Sequence, residues 1–197
     1  AMWSRSAASL LLAACLSTAS LAGTESSDWR ALRDASSAGS RNEASALARS
    51  FIKNHPQSGH IADARMILAD NETDPARALP RYEALSEKFR NFPGKDEARL
   101  SLCRILFLQS RFADCAEEAG KGYASSREKD HREEFSLLRA KALCASQRYD
   151  EARDAVSGSN SAEAKNVKAE ILTKNGESGA WAELVRGEYP ETALYCL

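Results

Sequence analysis

The sequence predicts an all-α fold built as a stack of about five helix pairs, and three observations carry that prediction. Ala, Leu, Glu, Arg and Ser dominate the 197 residues, while Val and Ile are scarce. That balance favours helices and disfavours sheets. Five prolines and ten glycines leave room for long uninterrupted segments. Two stretches also overlay, LCRILFLQSRFADCAEEA from Leu102 and RAKALCASQRYDEARDAV from Arg139, which places Phe112 and Tyr149 at equivalent points 37 residues apart. Each follows a polar break, Gln109-Ser110-Arg111 or Ser146-Gln147-Arg148, and each precedes a small residue by three, Cys115 or Ala152. Self-similarity at this period is the signature of stacked helix-turn-helix units. One such pair cannot bury its apolar stripe alone, so pairs stack.

The elements follow in order. Asp28 is placed to cap a helix beginning at Trp29, after a short polar linker over residues 23–27. The Ser-Ser-Ala-Gly-Ser run up to Ser40 breaks it. From Asn42 to Asn54, Ala44, Leu47, Ala48, Phe51 and Ile52 follow the stripe of an amphipathic helix, and His55-Pro56-Gln57-Ser58-Gly59 stops it. A third helix spans His60 to Asp70. Asp74 before Pro75 is a helix start, since proline is tolerated in the first turn, and this fourth helix runs to about Asn91. Further helices are expected over Lys95–Gln109, Phe112–Gly122, His131–Ser146 and Tyr149–Val156. Ala162–Lys174 and Ala180–Glu188 make a last pair, and Tyr189-Pro190 opens a segment to Leu197.

Gln147-Arg148-Tyr149-Asp150-Glu151-Ala152, preceded by Arg139-Ala140-Lys141-Ala142-Leu143, resembles the tetratricopeptide repeat at its turn and its first-helix packing segment. The resemblance covers roughly residues 28–190. Ala44, Ala78, Cys115 and Ala152 occupy the small second-helix position, at spacings of 34, 37 and 37. Pro56 closes the first unit where the family places proline, Pro93 comes three residues late, and the unit after Ser157 diverges. The resemblance implies a right-handed α-solenoid over residues 28–197 that binds protein through a concave face of first helices. Phe51-Ile52-Lys53-Asn54-His55-Pro56-Gln57-Ser58, echoed by Tyr189-Pro190-Glu191-Thr192-Ala193, is similar to the joints of exported bacterial repeat proteins of the outer-membrane assembly and Tol-associated kind.

The first 22 residues carry one charge, Arg5, before an apolar run and small residues, the pattern of an export signal. Two cleavage patterns compete, beside the plainer reading of an uncleaved N-terminal helix. Ser20-Leu21-Ala22 fits a peptidase site, and Leu12-Ala13-Ala14-Cys15 resembles a lipobox that would lipidate Cys15. The expected location is the periplasm or, through that anchor, the outer membrane. The net charge of −1 offers no basic excess for nucleic acid or an anionic membrane.

No phosphate loop or nucleophile elbow occurs in the sequence, so no catalytic residue, cofactor or metal is assigned. His55, His60 and Asp63 have metal-ligand chemistry, against the plainer reading of solvated loop side chains. Carried across the resemblance, the groove takes Glu97, Leu100, Arg104, Phe107 and Leu108 from one unit and Glu134, Leu137 and Lys141 from the next. The other reading makes Leu100, Phe107 and Leu137 packing residues. Cys103 and Cys115 fall at facing small positions of one pair, either as a disulfide or as two small buried apolar residues. The expected function is a non-enzymatic adaptor or scaffold for an envelope protein or peptide. The alternatives are an accessory subunit of a transporter solute-binding protein, or the repeat part of a protein with a cell-wall-binding or enzymatic module.

Overall fold

A computed structural model describes residues 24–89 and 91–176. Among these residues there are nine helices and no strand. They are α1 (24–37), α2 (Arg41–Asn54), α3 (Ile61–Asp70), α4 (Pro75–Lys88), α5 (Lys95–Leu108), α6 (Phe112–Ser125), α7 (Lys129–Ala145), α8 (Tyr149–Val156) and α9 (Ala162–Lys174). The all-helical prediction and the order of elements hold. The limits of α8 and α9 coincide with those expected from sequence, while α6 runs on to Ser125. The expected leader with Cys15, the helix over Ala180–Glu188 and the segment from Tyr189 lie outside the described residues.

The start of α1 differs from expectation. Residues 24–27, expected as linker, are helical, so Asp28 lies inside the helix and caps nothing. An acidic, Ser-rich first turn suits the positive end of a helix. Asp28 serves instead as a tie, its Oδ2 lying 2.8 Å from His55 Nε2. The helix start at Asp74 is as expected, with its carboxylate accepting from the Ala76 amide at 2.9 Å.

The described residues divide into two compact units after Arg81, inside α4. In the first, Leu32, Ala35, Ala44, Ala48, Phe51 and Ala64 form a closed core drawn from α1, α2 and α3. The α2–α3 loop is clasped onto α1 by three contacts. His55 meets Asp28, Ser58 Oγ donates to Glu25 at 2.6 Å, and the His60 ring stacks on Trp29 at 4.4 Å. The segment around Pro56 is therefore a loop anchored to α1.

In the second unit each helix from α5 to α9 packs on the next, and α7 also touches α5 and α9. The helices α5, α7 and α9 thus run side by side in one row, with α6 and α8 behind. The close crossings depend on small residues. Cys103, Cys115, Ala140 and Ala152 are all fully buried. At the α6–α7 contact, a Cβ on Gly122 would fall 2.3 Å from the Phe135 ring. Only glycine permits that approach.

The turns carry the repeat in backbone form. Gly39, Ser110 and Gln147 all have left-handed φ, at 71°, 58° and 61°. Each donates to the carbonyl three residues back, at 3.1, 2.9 and 3.0 Å. The next residue (Ser40, Arg111 or Arg148) donates to the carbonyl five back, at 3.1, 2.9 and 2.9 Å. This paired pattern satisfies carbonyls that a helix end leaves unpaired. Arg111 and Arg148 then each reach forward three residues, Nε donating to Asp114 and to Glu151 at 2.7 Å.

Candidate functional site

The row of α5, α7 and α9 holds every residue expected in the groove, and the structure sorts them. Leu100 and Leu137 are buried, at 2% and 6% exposure, so they are packing residues and cannot meet a partner. Their repeat position points into the stack because both follow the apolar stripe of their helices. Phe107 is half-buried and meets Phe112 edge-on, with ring centroids 5.2 Å apart. Leu108 stands 80% exposed at the end of α5.

The charged members are joined to one another. Arg104 on α5 pairs with Glu134 on α7. One period on, Lys141 of α7 reaches Glu163 of α9 at 2.6 Å. Arg104 and Lys141 are equivalent in the repeat, so one interaction is made twice along the row. Glu163 was not anticipated. The α7–α8 hairpin shortens its second helix to 8 residues, against 14 in the α5–α6 hairpin, so a fixed period overshoots the partner. Such exposed pairs are each worth about 0–1 kcal/mol. They set the charge pattern of the face while contributing little to its stability.

Glu97 lies at the start of this row, its Oε1 3.6 Å from His131 Nε2. The His131 side chain, on α7, is only 17% exposed. Asp96 and Glu128 face its Nδ1 at 3.8 and 3.2 Å. Glu128 is a sequence neighbour, whereas Asp96 and Glu97 come from α5, the adjoining helix of the row, which sequence spacing could not reveal.

A concavity of about 700 Å³ opens between the α6–α7 turn and the α8–α9 loop. Tyr123, Arg127, Arg132, Glu133 and Ser159 line it. The Arg132 guanidinium sits 4.7 Å from the centre of the Tyr123 ring, a cation–π contact. Hydrogen bonds from Ser161 and Ser159 hold the Glu133 carboxyl below its ordinary range, and the Ser159 hydroxyl lies 2.8 Å away.

His55 and His60 turn to different partners, Asp28 and Trp29, with His60 also 3.8 Å from Asp63. Among the described residues no group of three His, Cys, Asp or Glu side chains converges as a metal cage would. Cys103 and Cys115 are brought together as free thiols, Cys115 Sγ donating to the Cys103 carbonyl at 3.3 Å. Cys144 is a third free, buried thiol, and burial pushes its pKa up. No helix among the described residues is long and apolar enough to cross a membrane.

Among the described residues the fold is all-helical, and in the second unit successive helices pack on one another while α5 pairs with α7 and α7 with α9 through charged side chains. No protein-family model, no curated protein and no solved structure matches the chain.

Proposed function

We propose that this protein is a non-enzymatic adaptor of the bacterial envelope, a tetratricopeptide-like, right-handed solenoid. It binds a protein or peptide across the face of α5, α7 and α9. The observation that carries this reading is the repeated pair along that face, Arg104–Glu134 and Lys141–Glu163, beside the exposed Leu108. A partner can exchange such weak surface pairs for its own charges at little cost, and Leu108 offers an apolar anchor next to them. The export signal expected over residues 1–22, with cleavage at Ala22 or lipidation at Cys15, supports placement in the envelope.

The test is a photo-crosslinking residue placed at Leu108 in the full chain, expressed in its own cells. A control carries it at Glu117, exposed on α6. A discrete adduct to one envelope protein from position 108 alone is the expected result. An adduct from position 117 alone would move the binding face to the second helices. No adduct from either position would sink the adaptor reading.

A further inference from the structure

The α5–α6 hairpin carries two thiols that its fold does not require. Cys103 and Cys115 sit at the facing small positions of this pair, both with no exposed surface. One period later the same positions are Ala140 and Ala152, also with no exposed surface. Alanine therefore satisfies the packing at this crossing. In the first hairpin both alanines are replaced together, and the replacements touch. Cys115 Sγ donates to the Cys103 carbonyl oxygen at 3.3 Å, and each thiol shifts the ionisation of the other. Cys144, equally buried on α7, lacks such a partner among the described thiols.

We propose that Cys103 and Cys115 form a dithiol that closes to a disulfide across the α5–α6 hairpin, with a small disulfide such as oxidised glutathione as the oxidant. The proposal does not depend on the identity of any protein partner. Bridged residues need facing Cβ atoms and closely approaching backbones, and a helix crossing made by two small residues supplies both.

The chemistry has a defined order. The hydrogen bond from Cys103 lowers the Cys115 pKa against the opposing effect of burial. That bond and burial drive the Cys103 pKa up. Cys115 is therefore the first nucleophile. Its thiolate attacks one sulfur of oxidised glutathione, and one glutathione leaves as a thiolate that takes up a proton. Cys103 then loses its proton to solvent and attacks the Cys115 sulfur, expelling the second glutathione. Two cysteine thiols lose two electrons in all, and one glutathione disulfide becomes two thiols. Neither sulfur is exposed, so the first attack requires local opening of the hairpin.

The test equilibrates the reduced full chain with oxidised glutathione, alkylates the remaining thiols, and maps the peptides by mass. The expected product is a Cys103–Cys115 link lacking two hydrogens, with no glutathione retained at either position and Cys144 recovered as a thiol. The unfolding midpoint should rise by about 5–10 °C, as closure of a loop this short implies for a chain of this size. Free or glutathionylated Cys103 and Cys115 at equilibrium would overturn the proposal. A second variant, Cys103→Ala with Cys115→Ala, copies the other hairpin and retains its small crossing. Its midpoint should be the same in reduced and oxidised buffer. A rise as large as that of the parent chain would show that the gain arises elsewhere, and would equally overturn the idea.

Discussion

The hairpins α5–α6 and α7–α8 are two solutions to one design, and their differences separate what the fold demands from what it tolerates. Both turn on a left-handed residue followed by arginine, with matching backbone bonds. Both place a cation, Arg104 or Lys141, to pair with the next helix of the row. Both cross on two fully buried small side chains, yet one uses Cys103 and Cys115 and the other Ala140 and Ala152. The constant at the crossing is size; chemical identity is free to vary. The lengths differ too, with α8 having 8 residues and α6 having 14. Only α6 extends far enough to bring Gly122 against Phe135.

The largest effect should come from breaking what the hairpins share. Ala152→Leu and Cys115→Leu each force a branched side chain into a crossing with no free surface. Each should destabilise by about 1–3 kcal/mol. Gly122→Ala belongs in the same class. Alanine in a helix normally gains up to about 1 kcal/mol over glycine. Here the new methyl would meet the buried Phe135 ring, and α6 and α7 would have to separate. We expect a net loss of about 1–3 kcal/mol in urea unfolding. A neutral or stabilising Gly122→Ala would show that the α6–α7 approach is looser than the structure has it.

Much of this comparison was legible in the sequence. The period of 37 aligned Phe112 with Tyr149 and Cys115 with Ala152, and the small second-helix positions are all buried. Ala44 and Ala78 retain only 1% and 4% exposure. What could not be read is which way a residue near the edge of a stripe points. Leu100 and Leu137 could be read as groove or as packing residues, and at 2% and 6% exposure they pack inside. Pairings between helices were equally hidden. Asp28 looked like a cap because Asp before an apolar run is a strong capping signal. Its real partner, His55, lies 27 positions away. Glu163 was missed because α8 breaks the period.

The charged row allows a sharper test of what the two hairpins have in common. Arg104→Glu sets two carboxylates against each other and should cost about 1 kcal/mol in stability at low salt, less at high salt. Lys141→Glu, one period on, should behave alike. The exchange Arg104→Glu with Glu134→Arg restores an attractive pair with reversed polarity. Its thermal stability should return to within about 0.5 kcal/mol of the parent. Crosslinking from Leu108 should be lost in Arg104→Glu and stay lost in the exchange variant, because the partner meets the reversed polarity. Recovery of both stability and crosslinking would reduce the pair to a structural contact.

The smallest effect concerns the turns. Ser110 and Gln147 adopt left-handed φ, where a Cβ crowds the following carbonyl and costs roughly 1–2 kcal/mol. Glycine avoids that cost but surrenders about 0.5–1 kcal/mol through its greater freedom in the unfolded chain. The first term exceeds the second, so Ser110→Gly and Gln147→Gly should each stabilise by about 0.5 kcal/mol. Gly39 already occupies the same place in the turn between α1 and α2. The turn backbones of the two hairpins coincide, so their gains should agree within error and add in the double variant. Unequal gains in thermal unfolding would mean that one turn is strained in a way the other is not. The repeat would then be a likeness of sequence more than of backbone.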